Sequence, residues 1–128
     1  MKIDATIIQI DHLTKILIAH IVMIEGDGNY SHLVTNTNHR HTSSTTLQKF
    51  ALALPSFIRC HKHTIINPAY IVQINHPKKG LPGSLTLTLS TGALVEVSRR
   101  RAGETIQAVA DTILYGQFLS DYPLVLLR

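Results

Sequence analysis

The sequence predicts a mainly β fold with short helices, and three features of the 128-residue chain indicate it. Short β-branched or apolar runs, each closed by turn-forming residues, fill the chain as far as Ser98. Leu85, Leu87 and Leu89 alternate strictly with Thr86, Thr88 and Ser90, and beyond Thr91-Gly92 the residues Ala93, Val95 and Val97 alternate with Leu94, Glu96 and Ser98. Alternation on both sides of a glycine turn is the pattern of a β-hairpin with one buried face. Helical periodicity is confined to two stretches, one short and one near the C-terminus.

In chain order, Thr6 to Ile10, Lys15 to Ala19 and His20 to Ile24 read as strands, interrupted by Asp11-His12 and closed by Gly26-Asp27-Gly28, whose glycines suit a turn. Tyr30 to Thr35 resumes as strand. Asn36 to Thr46 is polar, a loop with room for one short strand. Thr45-Thr46 then precede Leu47, Phe50, Ala51 and Leu54, an i, i+3, i+4, i+7 stripe that stops at Pro55 and predicts a short helix. Apolar residues around Phe57 to Ile66 read as strand, and Asn75 to Gly83 as an exposed basic loop. After the hairpin, Ile106, Val109, Ala110, Ile113 and Leu114 repeat at helical spacing, with Glu104 in the first turn and Gly116 as the expected stop. This helix is expected to bury Ile106, Val109, Ile113 and Leu114. Beyond it lies an apolar tail, Phe118, Leu119, Tyr122 and Leu124 to Leu127, which either packs on the domain or meets another copy.

With 45% hydrophobic residues the chain supports one core of ordinary size and has no room for a second independent domain. The net charge of +4 is unevenly spread: nine of the twelve Lys and Arg residues lie between His39 and Arg101, where Glu96 is the lone acid. Such an asymmetry points to a polyanionic partner, against the alternative of an ordinary solvated basic face. Cys60 is the single cysteine, so neither an intramolecular disulfide nor a thiolate zinc framework can form, as suits a reducing cytoplasm. The N-terminus has no signal-peptide pattern and no apolar run is long enough to span a bilayer, so a cytoplasmic protein without membrane insertion is expected.

The densest chemistry lies in Arg59-Cys60-His61-Lys62-His63. If this run is strand, His61 and His63 share a face, but a zinc enzyme also wants a third ligand, and no H-E-x-x-H motif or carboxylate stands nearby. No G-x-S-x-G motif or activated hydroxyl is present either. The expectation is therefore a non-catalytic protein without metal or cofactor. Binding of nucleic acid asks for less: Arg and Lys to neutralise phosphates, and Arg, Lys, Asn or Ser on loops to reach base edges. Three separated places supply them: Asn29-Tyr30-Ser31-His32, Arg59 to His63, and Arg99-Arg100-Arg101. For Tyr30 the alternative is a core role, for Arg59 a cover over apolar surface, and for the arginines a soluble helix start.

These residues resemble the LytTR DNA-binding domain of bacterial LytR/AgrA-type transcription regulators. Ile21 to Tyr30, closing in Glu25-Gly26-Asp27-Gly28-Asn29-Tyr30, is similar to the family's strand ending in Glu-Ala-x-x-Asn-Tyr. Thr46-Leu47 with Leu54-Pro55 resembles its short helix. Phe57-Ile58-Arg59-Cys60-His61-Lys62, followed by Ile65-Ile66-Asn67-Pro68 and Ile71, resembles its most diagnostic block. Leu87 to Gly92 and Val97-Ser98-Arg99-Arg100 are similar to its terminal hairpin and Ser-Arg ending.

The resemblance implies an elongated, antiparallel β-sheet or sandwich with a C-terminal helix, whose loops enter successive major grooves of double-stranded DNA and bend it. It divides the chain into a strand extension over 1–15, a LytTR-like domain over 16–106, and a helix with apolar tail over 107–128 in the same compact unit. By motif position Ser31, Lys62 and Arg100 look like base-reading residues, with His32 the alternative to Ser31, and Arg59, His61 and Arg99 look like phosphate contacts. Asn29 and Tyr30 complete the first loop. His63 replaces the family's usual serine, and Asn67 reads as a strand-end backbone partner. The expected function is sequence-specific duplex DNA binding, response-regulator-like, on paired sites as a dimer or as two monomers. A protein-interaction module using the apolar tail, with DNA binding weak or lost, is the alternative.

Overall fold

The computed structural model describes residues 1–78 and 83–119, with side chains of the last helix described through Thr112. Its backbone forms three antiparallel sheets and two helices. Strands β1 (Lys2–Ile3), β2 (Ile7–Gln9) and β3 (Lys15–Leu17) make an N-terminal sheet in the order β1-β2-β3. Its two connections are closed by aspartates: Asp4 accepts from the N–H groups of Thr6 and Ile7, and Asp11 from those of Leu13 and Thr14. These backbone donors hold both carboxyl groups below the usual carboxylate range.

The central sheet has five strands, β4 (Ile21–Asp27), β5 (Tyr30–Thr35), β6 (Arg40–Ser43), β7 (Ile58–His61) and β8 (Thr64–Ile66), in the order β6-β5-β4-β8-β7. Helix α1 (Leu47–Ala53) links β6 to β7; the Thr46 hydroxyl caps it by accepting from the Lys49 N–H, and Pro55 follows its last turn. The third sheet, β9 (Ile71–Asn75), β10 (Thr86–Leu89) and β11 (Leu94–Glu96), contains the expected hairpin. Helix α2 (Arg99–Leu119) follows directly.

The central sheet is buried on both faces because successive side chains point opposite ways. Ile66, Met23, Ile58 and Cys60 pack with Leu85, Leu87, Leu89, Val95 and Val97 of the third sheet and with Val109 of α2. Ile65, Ile24 and Leu33 face the other way, onto Leu47, Phe50 and Leu54 from α1 and onto Ile8 and Ile16 from the N-terminal sheet. Asn67 closes the sheet end as a backbone partner: its Nδ2 donates to Ile21 O at 3.0 Å, and its Oδ1 accepts from Ala69 N at 3.1 Å.

Two expectations for α2 are corrected. Gly116 does not stop the helix, which continues to Leu119. Ile106 is 40% exposed, whereas Thr105 and Val109 are 1% and 3% exposed. The Ser98 N–H donates to Cys60 O at 2.9 Å, fixing the helix start against β7. From that start the inward stripe is Ala102, Thr105, Ala108 and Val109. The side chains of Ile113 and Leu114, the centre of the basic loop, and the tail beyond Leu119 lie outside the described residues.

The Thr105 hydroxyl is buried with no hydrogen-bond partner among the described residues. Leaving such a group unpaired costs about 1–3 kcal/mol. Thr105→Val, which replaces the hydroxyl by a methyl of similar size, should therefore raise unfolding stability in urea by about 1 kcal/mol. A loss of stability would contradict this placement of the helix face.

Candidate nucleic-acid interface

The three basic segments meet at one end of the central sheet. Strands β4 and β5 pair from Ile21↔Thr35 to Asp27↔Tyr30, leaving Gly28-Asn29 as a two-residue turn. Gly28 has φ +62°, the left-handed conformation required at the first central position of a type II′ turn. Strands β7 and β8 close at His61↔Thr64, with Lys62-His63 at the tip. Neither tip residue has positive φ, so this turn is not a primed one, and the register instead slips between Arg59 and His61. The two turns are tied together, since Gly26 N donates to His63 O at 2.8 Å. Ser98 N on Cys60 O brings the arginines of α2 to the same end, beside the outermost strand.

Asn29 and Lys62 are exposed at the turn tips, and Arg99 and Arg100 on the first turn of α2. Tyr30 is 55% exposed, so it is not a core residue. Ser31 is a correction: β5 alternates, and Ser31, Leu33 and Thr35 point inward. The Ser31 hydroxyl is fully buried and donates to Thr45 O at 2.7 Å, so it does not face outward to a ligand. His32 lies on the opposite face, half-buried, with Nδ1 2.9 Å from Thr42 Oγ1 and Nε2 3.4 Å from Asp27 Oδ2.

Arg59 is held by its own chain. One guanidinium nitrogen donates to Gln48 Oε1 at 2.6 Å and another to Lys62 O at 2.8 Å, so the side chain braces the turn that presents Lys62. Burial, then Arg101 and Arg100, lower its pKa, although a guanidinium remains charged in water at any neutral pH. His61 is half-buried, and its Nδ1 accepts from His63 N at 3.3 Å. The expectation that His61 and His63 share a strand face fails because the strand ends at His61; their rings lie across the turn, 5.7 Å apart. Gln48 carried no sequence signal, since an exposed glutamine on a helix is ordinary, and Arg101 stood out only as part of an arginine run.

Among the described residues Glu25 pairs with Arg40, and Asp27 contacts His32, a pair that is ionic only when the imidazole is protonated. Neither involves Arg59, Lys62, Arg99, Arg100 or Arg101, so this end of the sheet carries cations without carboxylate partners among the described residues. Its chemistry is that of anion binding. Cys60 is fully buried beneath it, and burial pushes its thiol up to about 12, so it is a packing residue and not a thiolate nucleophile. Among the described residues no three His, Cys, Asp or Glu side chains gather in a geometry that could hold a metal, and no helix is long and apolar enough to cross a membrane.

If Arg59 braces the β7–β8 turn, Arg59→Ala should speed hydrogen exchange of the Thr64 amide, which closes that turn against β7, by about tenfold, the value of one ordinary hydrogen bond. Exchange in β10 should stay unchanged. Unaltered exchange at the turn would remove the bracing role.

The LytTr DNA-binding domain family model matches residues 11–109. No curated protein matches the chain. Among solved structures, the LytTr DNA-binding domain of a Bacillus cereus protein superposes with a TM-score of 0.69 at 21% identity, covering 83% of this chain and 98% of that one. At that identity the superposition establishes the fold, and the family match spans most of the chain. The chain belongs to the LytTR DNA-binding domain family, which implies DNA binding in transcription regulation.

Proposed function

We propose that the protein is a bacterial regulator that binds specific duplex DNA through the turn tips and the α2 start at one end of the central sheet, on paired sites. The observation that carries this reading is the gathering of Arg59, Arg100 and Arg101 at one rim, close enough that the two α2 arginines add to burial in lowering the Arg59 pKa, beside the exposed Lys62 and with no carboxylate ion-pair partner among the described residues. A polyphosphate backbone relieves that repulsion. Lys62 and Arg100 reach base edges in the major groove, where either can donate to guanine O6 and N7, and Asn29 suits adenine N6 and N7. Arg99 and His61 contact phosphates, Tyr30 lines the first turn, and His32 supports it through Asp27. Arg59 acts by positioning Lys62. The family is typically non-catalytic, in keeping with a binding role.

Selection from random duplex DNA supplies the preferred site. With about four to six phosphates neutralised, log K should fall with log salt at a slope of about −4 to −5. Lys62→Ala and Arg100→Ala should each cost about 1–3 kcal/mol on the preferred site and much less on random DNA. Equal losses on both DNAs would make them phosphate contacts, and a flat salt response would overturn the electrostatic basis of the reading.

A further inference from the structure

At the opposite end of the central sheet, a cleft of about 440 Å³ opens between β3 and the turn joining β5 to β6. Lys15, His20, Asn36, Thr37, His39 and His41 supply its polar groups, and no carboxylate lines it. The turn is firmly built. Asn36 N donates to His20 O, Thr35 N to His39 O and Asn38 N to Thr35 O, each at 2.9 Å. Asn38 takes the left-handed conformation, φ 62°, that lets the chain reverse there. His39 and His41 project along the open edge of the sheet with ring centroids 6.3 Å apart. Among the described residues, the side chains of His20, His39 and His41 have no hydrogen-bond or ion-pair partner; Lys15 makes no ion pair but lies near Asp4, the Asn36 amide donates to Tyr70 Oη at 3.4 Å, and the Thr37 hydroxyl is 3.0 Å from Thr35 Oγ1.

An ammonium group, three imidazoles, an amide and a hydroxyl around one cleft, without a carboxylate, make up a set of donors for a tetrahedral oxyanion. Imidazole donates from one ring nitrogen when neutral and from both when protonated, so the set serves an anion in either state. The seven residues of β4 run about 20 Å from the His20 end of this cleft to the basic turns, and His41, level with Ile24 through Leu33, lies about 10 Å short of them at 3.3 Å per residue. A duplex held at the turn tips therefore leaves the His20 end of the cleft free. We infer that this cleft is a second anion site, which takes the phosphate group of a small free molecule and is separate from the DNA-binding end of the sheet.

The full chain is titrated with inorganic phosphate at constant ionic strength, against chloride, while the histidine ring proton signals are followed by NMR. The signals of His20, His39 and His41 should shift saturably with one shared midpoint, on the order of 1 mM, a midpoint that the signals of His61 and His63 do not share. Lys15→Ala and His39→Gln, both at exposed positions, should each raise the midpoint by about fivefold, as expected for loss of one exposed charge or donor. Linear drift matching chloride, or unchanged midpoints in both variants, overturns the site. A second arm adds a short duplex without phosphate. Shifts of His20, His39 and His41 under those conditions would assign the cleft to the DNA backbone and overturn the free-ligand inference, whereas shifts confined to His61 and His63 would uphold it.

Discussion

The basic end of this domain depends on two backbone hydrogen bonds, Gly26 N to His63 O and Ser98 N to Cys60 O. The first joins the β4–β5 turn to the β7–β8 turn; the second docks the start of α2 on the outermost strand. Together they bring Asn29, Lys62 and Arg100, separated widely in sequence, onto one rim. Because each bond has one end, Gly26 or Cys60, on a strand of the sheet that is buried on two faces, the rim is tied to the core. The side chains then need only point outward from turns whose positions are set.

That rim is electrostatically unfavourable in the isolated protein. Arg100 and Arg101 disfavour the charge on Arg59; Glu104 and Asp111 line the cleft beside Arg59 and Arg101 without forming an ion pair, and Glu25 and Asp27 contact Arg40 and His32 instead. Repulsion among like charges opposes folding, and here it is offset by apolar packing beneath, including the fully buried Cys60 and Ile66. The same repulsion favours any polyanion that brings phosphates between the cations. Within the cluster the arginines divide the work: Arg59 is tied to Gln48 and Lys62 O, while Arg99 and Arg100 remain exposed.

Much of this was legible in the sequence. The hairpin from Leu85 to Val97 and the α1 stripe ending at Pro55 follow from periodicity with one buried face, where a register error would expose the whole apolar set. What was not legible turned on contacts between distant segments. Ser31 follows Asn29-Tyr30 in a motif that suggests an outward loop, yet the strand begins at Tyr30 and its alternation turns Ser31 inward toward Thr45. Helical spacing near the C-terminus was correct as to helix and wrong as to face at Ile106, because the docking of Ser98 on Cys60 sets the rotation and favours Thr105. The shared face considered for His61 and His63 required a continuous strand, whereas the strand ends at His61 and a turn follows. The short strand β1 carried no pattern long enough to read.

The most direct test of the account is amide chemical-shift mapping of the full chain against a selected duplex. The account predicts that the largest shifts fall together on Gly28 to Tyr30, His61 to His63 and Arg99 to Arg101, with one shared midpoint. Shifts concentrated on the outer face of the β9–β11 sheet or on the N-terminal sheet, with those three segments unmoved, would contradict it.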